Sequence, residues 1–245
     1  MSDTSFRTWM IRLKNDKGAR PEWTRLLSWM LEDEFVREQQ IGRQYTGQNV
    51  LIDRADHNYK VKKAENRAMY GLYHRSWSEN GGCLQINTMP VLLLSYEVPN
   101  QGNHSGRCAD LLGLTESGGL IVFEGKLGEN SHPPISAILE GLDYLSCLTS
   151  EKTFKRLTDE FLEWKSKRSI PKRFQKIVPD RSVPPRVVVL ADDKYFTKHD
   201  SHSDRSPGWR EMVKHGQKTK SITMGFALAK LDENGFFSPK ISWLI

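Results

Sequence analysis

Cysteine is scarce in this chain. Its 245 residues include three, Cys83, Cys108 and Cys147, an odd number at wide spacing. That excludes a disulfide framework and a C-x-x-C zinc site, and it suits a reducing compartment. Long apolar runs are missing too: none approaches the eighteen residues of a membrane-spanning helix. The N-terminal residues hold no apolar signal core, so a cytoplasmic location and no membrane partner are expected. There is no internal repeat and no low-complexity tract. Acids are in the minority, 30 against 36 Lys and Arg, for a net charge of +6. That excess favours a polyanionic partner without identifying one.

What is present is the composition of a folded protein. Hydrophobic residues make up 38% and charged residues 27%, enough for a buried core and against wholesale disorder. Pro21 and the stripe Trp23, Leu26, Leu27, Met30 and Leu31 predict an amphipathic helix to Gln40. Residues 42–59 read as a connection with a short strand near 49–53. A second helix is predicted over 60–77, with Val61, Ala68, Met69, Leu72 and Tyr73 inward. Glu65 falls on that stripe, and an inward acid needs a partner. Strands follow over 83–87 and 91–98, with Glu97 ending the second as either an exposed strand-end acid or a member of a site. A polar loop, Asn100 to Ser105, comes next and is placed to touch nucleic acid. After residue 131 the spacing predicts one helix with Ile135, Ile138, Leu139, Leu142 and Leu145 inward, and another over 153–164. A buried-type strand over 186–190, a short helix over 209–214 and closing strands over 222–231 and 236–244 complete the chain.

The central stretch is RCADLLGLTESGGLIVFEGKLG, residues 107–128. Two apolar runs flank a loop with paired glycines, which predicts a hairpin. Three charged residues, Asp110, Glu124 and Lys126, interrupt those runs, and ionised groups are rarely buried without a partner or a metal. If Leu114 pairs with Leu120, counting back sets Asp110 opposite Glu124, with Cβ atoms about 5 Å apart on one face. Lys126, two residues on, shares that face. Like charges so close repel, and a divalent cation between them removes the repulsion. A salt-bridge cluster of the three side chains is the plainer alternative.

Asp, thirteen residues, Glu, one residue, Lys resembles the PD-(D/E)XK nuclease superfamily. The match covers Arg107 to Lys126, with Ala109 where the family has proline. The resemblance implies an α/β, restriction-endonuclease-like fold, a central mixed sheet flanked by helices. On that reading residues 1–59 form a mainly helical extension packed on a nuclease-like domain over 60–245. It implies that Asp110 and Glu124 bind Mg²⁺, with Mn²⁺ able to substitute, and that Lys126 positions water and stabilises transition-state charge. It further implies an acid from the preceding helix, here Glu65, at the metal, and Glu140 and Tyr144 of the following helix beside the site. Glu140 and Tyr144, four apart, also fit an ordinary hydrogen-bonded pair, and His132 either contacts phosphate or is simply solvated.

The implied activity is metal-dependent hydrolysis of DNA phosphodiesters, with RNA not excluded. Restriction, phage defence, repair and mobile-element processing all fit. A catalytically inactive nucleic-acid-binding or scaffold protein is the alternative, and a homodimer or a delivering partner protein is left open. Eight basic residues against Asp180 give a net +7 over residues 165–186. Lys165, Lys167, Arg168, Lys172, Arg173 and Lys176 there suit phosphates, as a flexible basic segment or as a plain solvated linker. Prolines 171, 179, 184 and 185 break any long helix in it. His199, Asp200, His202 and Asp204 lack the spacing of a second metal site.

Overall fold

The computed structural model describes residues 50–51, 63–99, 108–200, 209–210 and 223–244. The expected helix over 21–40, the loop Asn100 to Ser105, and His202 and Asp204 lie outside the described residues. Of the N-terminal extension, Val50 and Leu51 are described. They form a bend rather than a strand, and their backbone N–H groups donate to Oε2 of Glu160 at 2.6 and 2.8 Å.

The described residues hold seven strands and four α-helices of six or more residues. Helix α1 (Ala64–Asn80) leads to β1 (Cys83–Ile86), β2 (Met89–Pro99), β3 (Cys108–Thr115) and β4 (Leu120–Lys126). Then come α2 (Pro134–Leu148), α3 (Glu151–Ser166), β5 (Arg186–Ala191) and α4 (Asp193–Lys198). β6 (Thr223–Leu231) and β7 (Phe237–Trp243) close the described chain. Of the expected helix at 209–214, residues 209–210 are described and helical.

The expected hairpin forms in the expected register, with Leu114 paired to Leu120 and Leu111 to Phe123. Gly118 turns it at φ 90°, a conformation that favours glycine. All seven residues of β4 are buried. It lies between β3, antiparallel, and β5, parallel. Burial on both faces explains the apolar run of residues 120–123.

The topology corrects the expected open sheet of a restriction-endonuclease-like fold. The strands follow one another in chain order and close into a mixed seven-stranded barrel. β1 meets β7 in parallel through Gln85–Lys240 and Ile86–Ile241. Irregularities at Leu93/Ser95 in β2 and at Ala229/Leu231 in β6 add local bend and twist. Gly71 of α1 lets Phe236 in: a Cβ there would sit 2.1 Å from that ring. The β6–β7 turn therefore folds against α1 and carries β7 to β1.

Two apolar clusters fill the structure. One joins Met69, Leu72 and Tyr73 of α1 to Leu93, Leu111, Phe123, Val188 and Phe237. The other joins Ile135, Ile138 and Leu142 of α2 and Phe161 of α3 to Leu112, Val122 and Val189. No helix among the described residues is long and apolar enough to cross a membrane.

Candidate functional site

The site forms where β3 begins and β4 ends. The hairpin register, extended one residue past Leu111–Phe123, sets Asp110 opposite Glu124. On the other side of β3, Tyr96 pairs with Leu111 and Val98 with Ala109, which sets Glu97 beside Asp110. Three carboxylates thus occupy neighbouring strands at one level of the barrel wall.

Their partners differ. Asp110 keeps some exposed surface, and its Oδ2 accepts the backbone N–H of Gly125 at 2.7 Å. Glu124 is 3% exposed, and its Oε1 is buried with no hydrogen-bond partner among the described residues. Lys126, also buried, places Nζ 3.7 Å from Oε2 of Glu124 and 3.1 Å from Oε2 of Glu140 on α2. Glu97 is buried rather than an exposed strand end. Its backbone is left-handed, φ 50°, and its Oε1 accepts from Asn66 Nδ2 at 2.8 Å and Tyr96 Oη at 3.2 Å.

The electrostatics follow from burial. Desolvation, against the opposing pull of Lys126 and the Gly125 N–H, pushes Asp110 up to about 6. Desolvation and then the Asp110 charge push Glu124 well above the ordinary carboxylate range. Burial alone would lower Lys126, but Glu124, Glu140 and Asp110 together hold it above the usual lysine value. Lys126 is therefore a fixed cation, and both acids hold their protons to higher pH than an ordinary carboxylate, which a second cation would oppose.

The other expected residues lie at different places around the barrel. Glu65 reaches the site's edge, but its Oε1 accepts from Leu127 N at 3.3 Å and Asn130 Nδ2 at 2.5 Å, so it holds the loop after Lys126. Tyr144 is buried in the apolar cluster on the α2 side. His132 is half-buried, and its carbonyl accepts from Tyr195 Oη at 2.9 Å. The basic residues are not brought to the carboxylates. Their segment meets the hairpin turn, where Asp180 N donates to Gly118 O at 2.8 Å and Arg173 stands 3.7 Å from Glu116. Asn66, Asn130 and Tyr195 were not anticipated. Asn66 adjoins Glu65 at the start of α1, which is the one sequence cue among them.

The donor set fits Mg²⁺. Among the described residues no group of three or more His, Cys, Asp or Glu side chains is disposed to hold a metal ion. Mg²⁺ asks for less: one or two carboxylates, with water and substrate phosphate completing its shell. Asp110 and Glu124 supply two hard oxygen ligands, and the unpartnered Oε1 of Glu124 is a buried acceptor that a cation would satisfy.

No family model matches the chain, and no curated protein or solved structure matches it.

Proposed function

We propose that the protein is a Mg²⁺-dependent nuclease that hydrolyses DNA phosphodiester bonds. The observation that carries the reading is geometric: the β3–β4 register sets Asp110 opposite the buried Glu124, whose Oε1 finds no hydrogen-bond partner among the described residues, with Lys126 Nζ 3.7 Å from its Oε2. Two carboxylates cost most when both are ionised in a dry site, so the pair suits a task that brings positive charge to it. Asp110 and Glu124 would hold the ion. When bound, Mg²⁺ would lower the pKa of an attacking water and offset phosphate charge. Lys126 presents a fixed positive charge to the phosphoryl oxygens, where negative charge grows in the transition state. Glu140 orients that ammonium from α2. Glu65, through Leu127 and Asn130, fixes the loop leaving the site.

The test is incubation of the purified protein with supercoiled, linear and single-stranded DNA, and with RNA, in Mg²⁺, Mn²⁺ or EDTA. Cleavage in Mg²⁺ or Mn²⁺ that stops in EDTA and in Asp110→Asn is expected. Absence of cleavage of every substrate in both metals would overturn the reading in favour of a non-catalytic binding protein.

A further inference from the structure

The basic segment is a built surface rather than a tether. Phe174 is fully buried within the single-turn helix Lys172–Phe174, and Ile170 and Pro179 are buried on either side of it. Lys165 Nζ donates to Ile177 O at 3.0 Å, and Arg181 Nε donates to Thr149 O at 3.0 Å. Arg168 lies over the rings of both Trp77 and Trp164, at 4.8 and 5.0 Å. On this frame Lys167, Lys172, Arg173 and Lys176 are exposed. Glu163 meets Lys167 and Glu116 meets Arg173, while no ion pair engages Lys172 or Lys176 among the described residues.

Its position is set by two rulers. Glu116, beside Arg173, is six strand residues from Asp110, about 20 Å. The far end of α1, where Gly81 adjoins Ser169 and Pro171, is sixteen helical residues from Glu65, about 24 Å. The surface is therefore too far from the carboxylates to take part in the chemistry. A distance of about 20 Å corresponds to roughly six base pairs along a B-form duplex.

We infer that Lys172, Arg173 and Lys176 form a preorganised anchor for the DNA phosphate backbone, remote from the bond that is cut. The choice of DNA as the polyanion rests on the nuclease reading. The rigid seating of the segment removes the ordering cost that a flexible basic tail would carry on binding. A contact made to phosphates carries no base information, so the anchor is sequence-independent.

The test is binding of the full-length protein to a thirty-base-pair duplex in EDTA, so that cleavage plays no part, across a salt series. Neutralising the three residues (Lys172→Gln, Arg173→Gln, Lys176→Gln) should lower the slope of log affinity against log salt by about 2 to 3, close to 0.9 for each phosphate no longer neutralised. Lys152→Gln, an exposed lysine of α3 outside the segment, should leave the slope closer to wild type than the triple variant does, and Glu116→Gln, which removes an acid from the surface, should bind more tightly. An unchanged slope in the triple variant, or wild-type protein that does not bind in EDTA, overturns the anchor. The two readings separate cleanly: an unchanged slope with metal-dependent cleavage sinks the anchor alone, and a reduced slope without cleavage in any metal sinks the nuclease alone.

Discussion

Lys126 Nζ lies 3.1 Å from Oε2 of Glu140, joining the last residue of β4 to the second turn of α2. Both side chains are largely removed from solvent, so the ion pair is worth more than an exposed one. Truncation by Glu140→Ala leaves Lys126 with Glu124 at 3.7 Å and a poorly satisfied ammonium. We expect a stability loss of about 1–3 kcal/mol in urea titration and a fall in cleavage. Glu140→Gln keeps an acceptor for Nζ and should recover most of the cleavage. Equal activity in the two variants would show that Glu140 does not position Lys126.

The second prediction concerns pH. Asp110 rises from its ordinary value to about 6 in the folded state, and Glu124 is raised in the same sense. Between the ordinary value and the raised one, the unfolded chain has released a proton that the native state still holds. Stability is then fully present below about pH 4 and is lost as pH rises through 6. For Asp110 the loss is about 3 kcal/mol, from roughly two pH units at 1.36 kcal/mol each. Lys126 stays protonated throughout and adds no slope. Unfolding free energies from urea titration at pH 4 to 7.5 should therefore fall less in Asp110→Asn than in wild type, by about that amount. Mg²⁺ should flatten the wild-type fall, because an ion at the pair favours both ionised forms. Identical pH profiles in the two proteins would refute the burial of charge at Asp110.

The hairpin was legible because its cues are local. The apolar runs of β3 and β4, the glycines of the turn and the breaks in pattern at Asp110, Glu124 and Lys126 all lie within twenty residues. Barrel closure has no such cue. Ile86 and Ile241 are 155 positions apart, and nothing in either strand marks the other as its neighbour. Gly71, which admits Phe236, looks like a mere weak point in a helix. The buried state of Glu97 was hidden for a different reason. A carboxylate at a strand end usually faces water, and its left-handed backbone and the Asn66 amide become visible only when α1 is docked. The charge of the 165–186 segment was plain in the sequence, whereas its seat on the hairpin turn depends on Phe174 reaching the core.

Glu97 gives a third prediction. A non-glycine residue at φ 50° carries backbone strain of about 1–2 kcal/mol. Its side chain offsets that strain by accepting from Asn66 and Tyr96. Glu97→Ala removes both hydrogen bonds and keeps the strain, while Glu97→Gly removes the hydrogen bonds and relieves it. Glycine should therefore be the more stable replacement by about 1 kcal/mol, the reverse of its usual rank in a strand. Thermal unfolding of the pair decides the matter, and a more stable alanine variant would place Glu97 in an unstrained conformation.

The last prediction separates a catalytic trio from a salt-bridge cluster by setting stability against activity. Asp110→Asn removes one of two adjacent, poorly solvated carboxylates while keeping an oxygen to accept the Gly125 N–H. The metal-free protein should therefore be at least as stable as wild type, and its stabilisation by Mg²⁺ should shrink together with cleavage. Lys126→Ala acts in the opposite way. It leaves Glu124, Glu140 and Asp110 without the cation that holds them together, so the metal-free protein should lose stability. Both carboxylates remain, so Mg²⁺ should still bind and should restore more stability than it does in wild type. Cleavage should nonetheless fall by roughly a hundredfold or more, the size expected for removing one charge that stabilises the transition state. A structural cluster behaves otherwise: both substitutions destabilise, Mg²⁺ rescues neither, and no metal-dependent cleavage exists in the wild type. Calorimetry with and without Mg²⁺, run beside a plasmid-cleavage assay on the same preparations, distinguishes the two patterns.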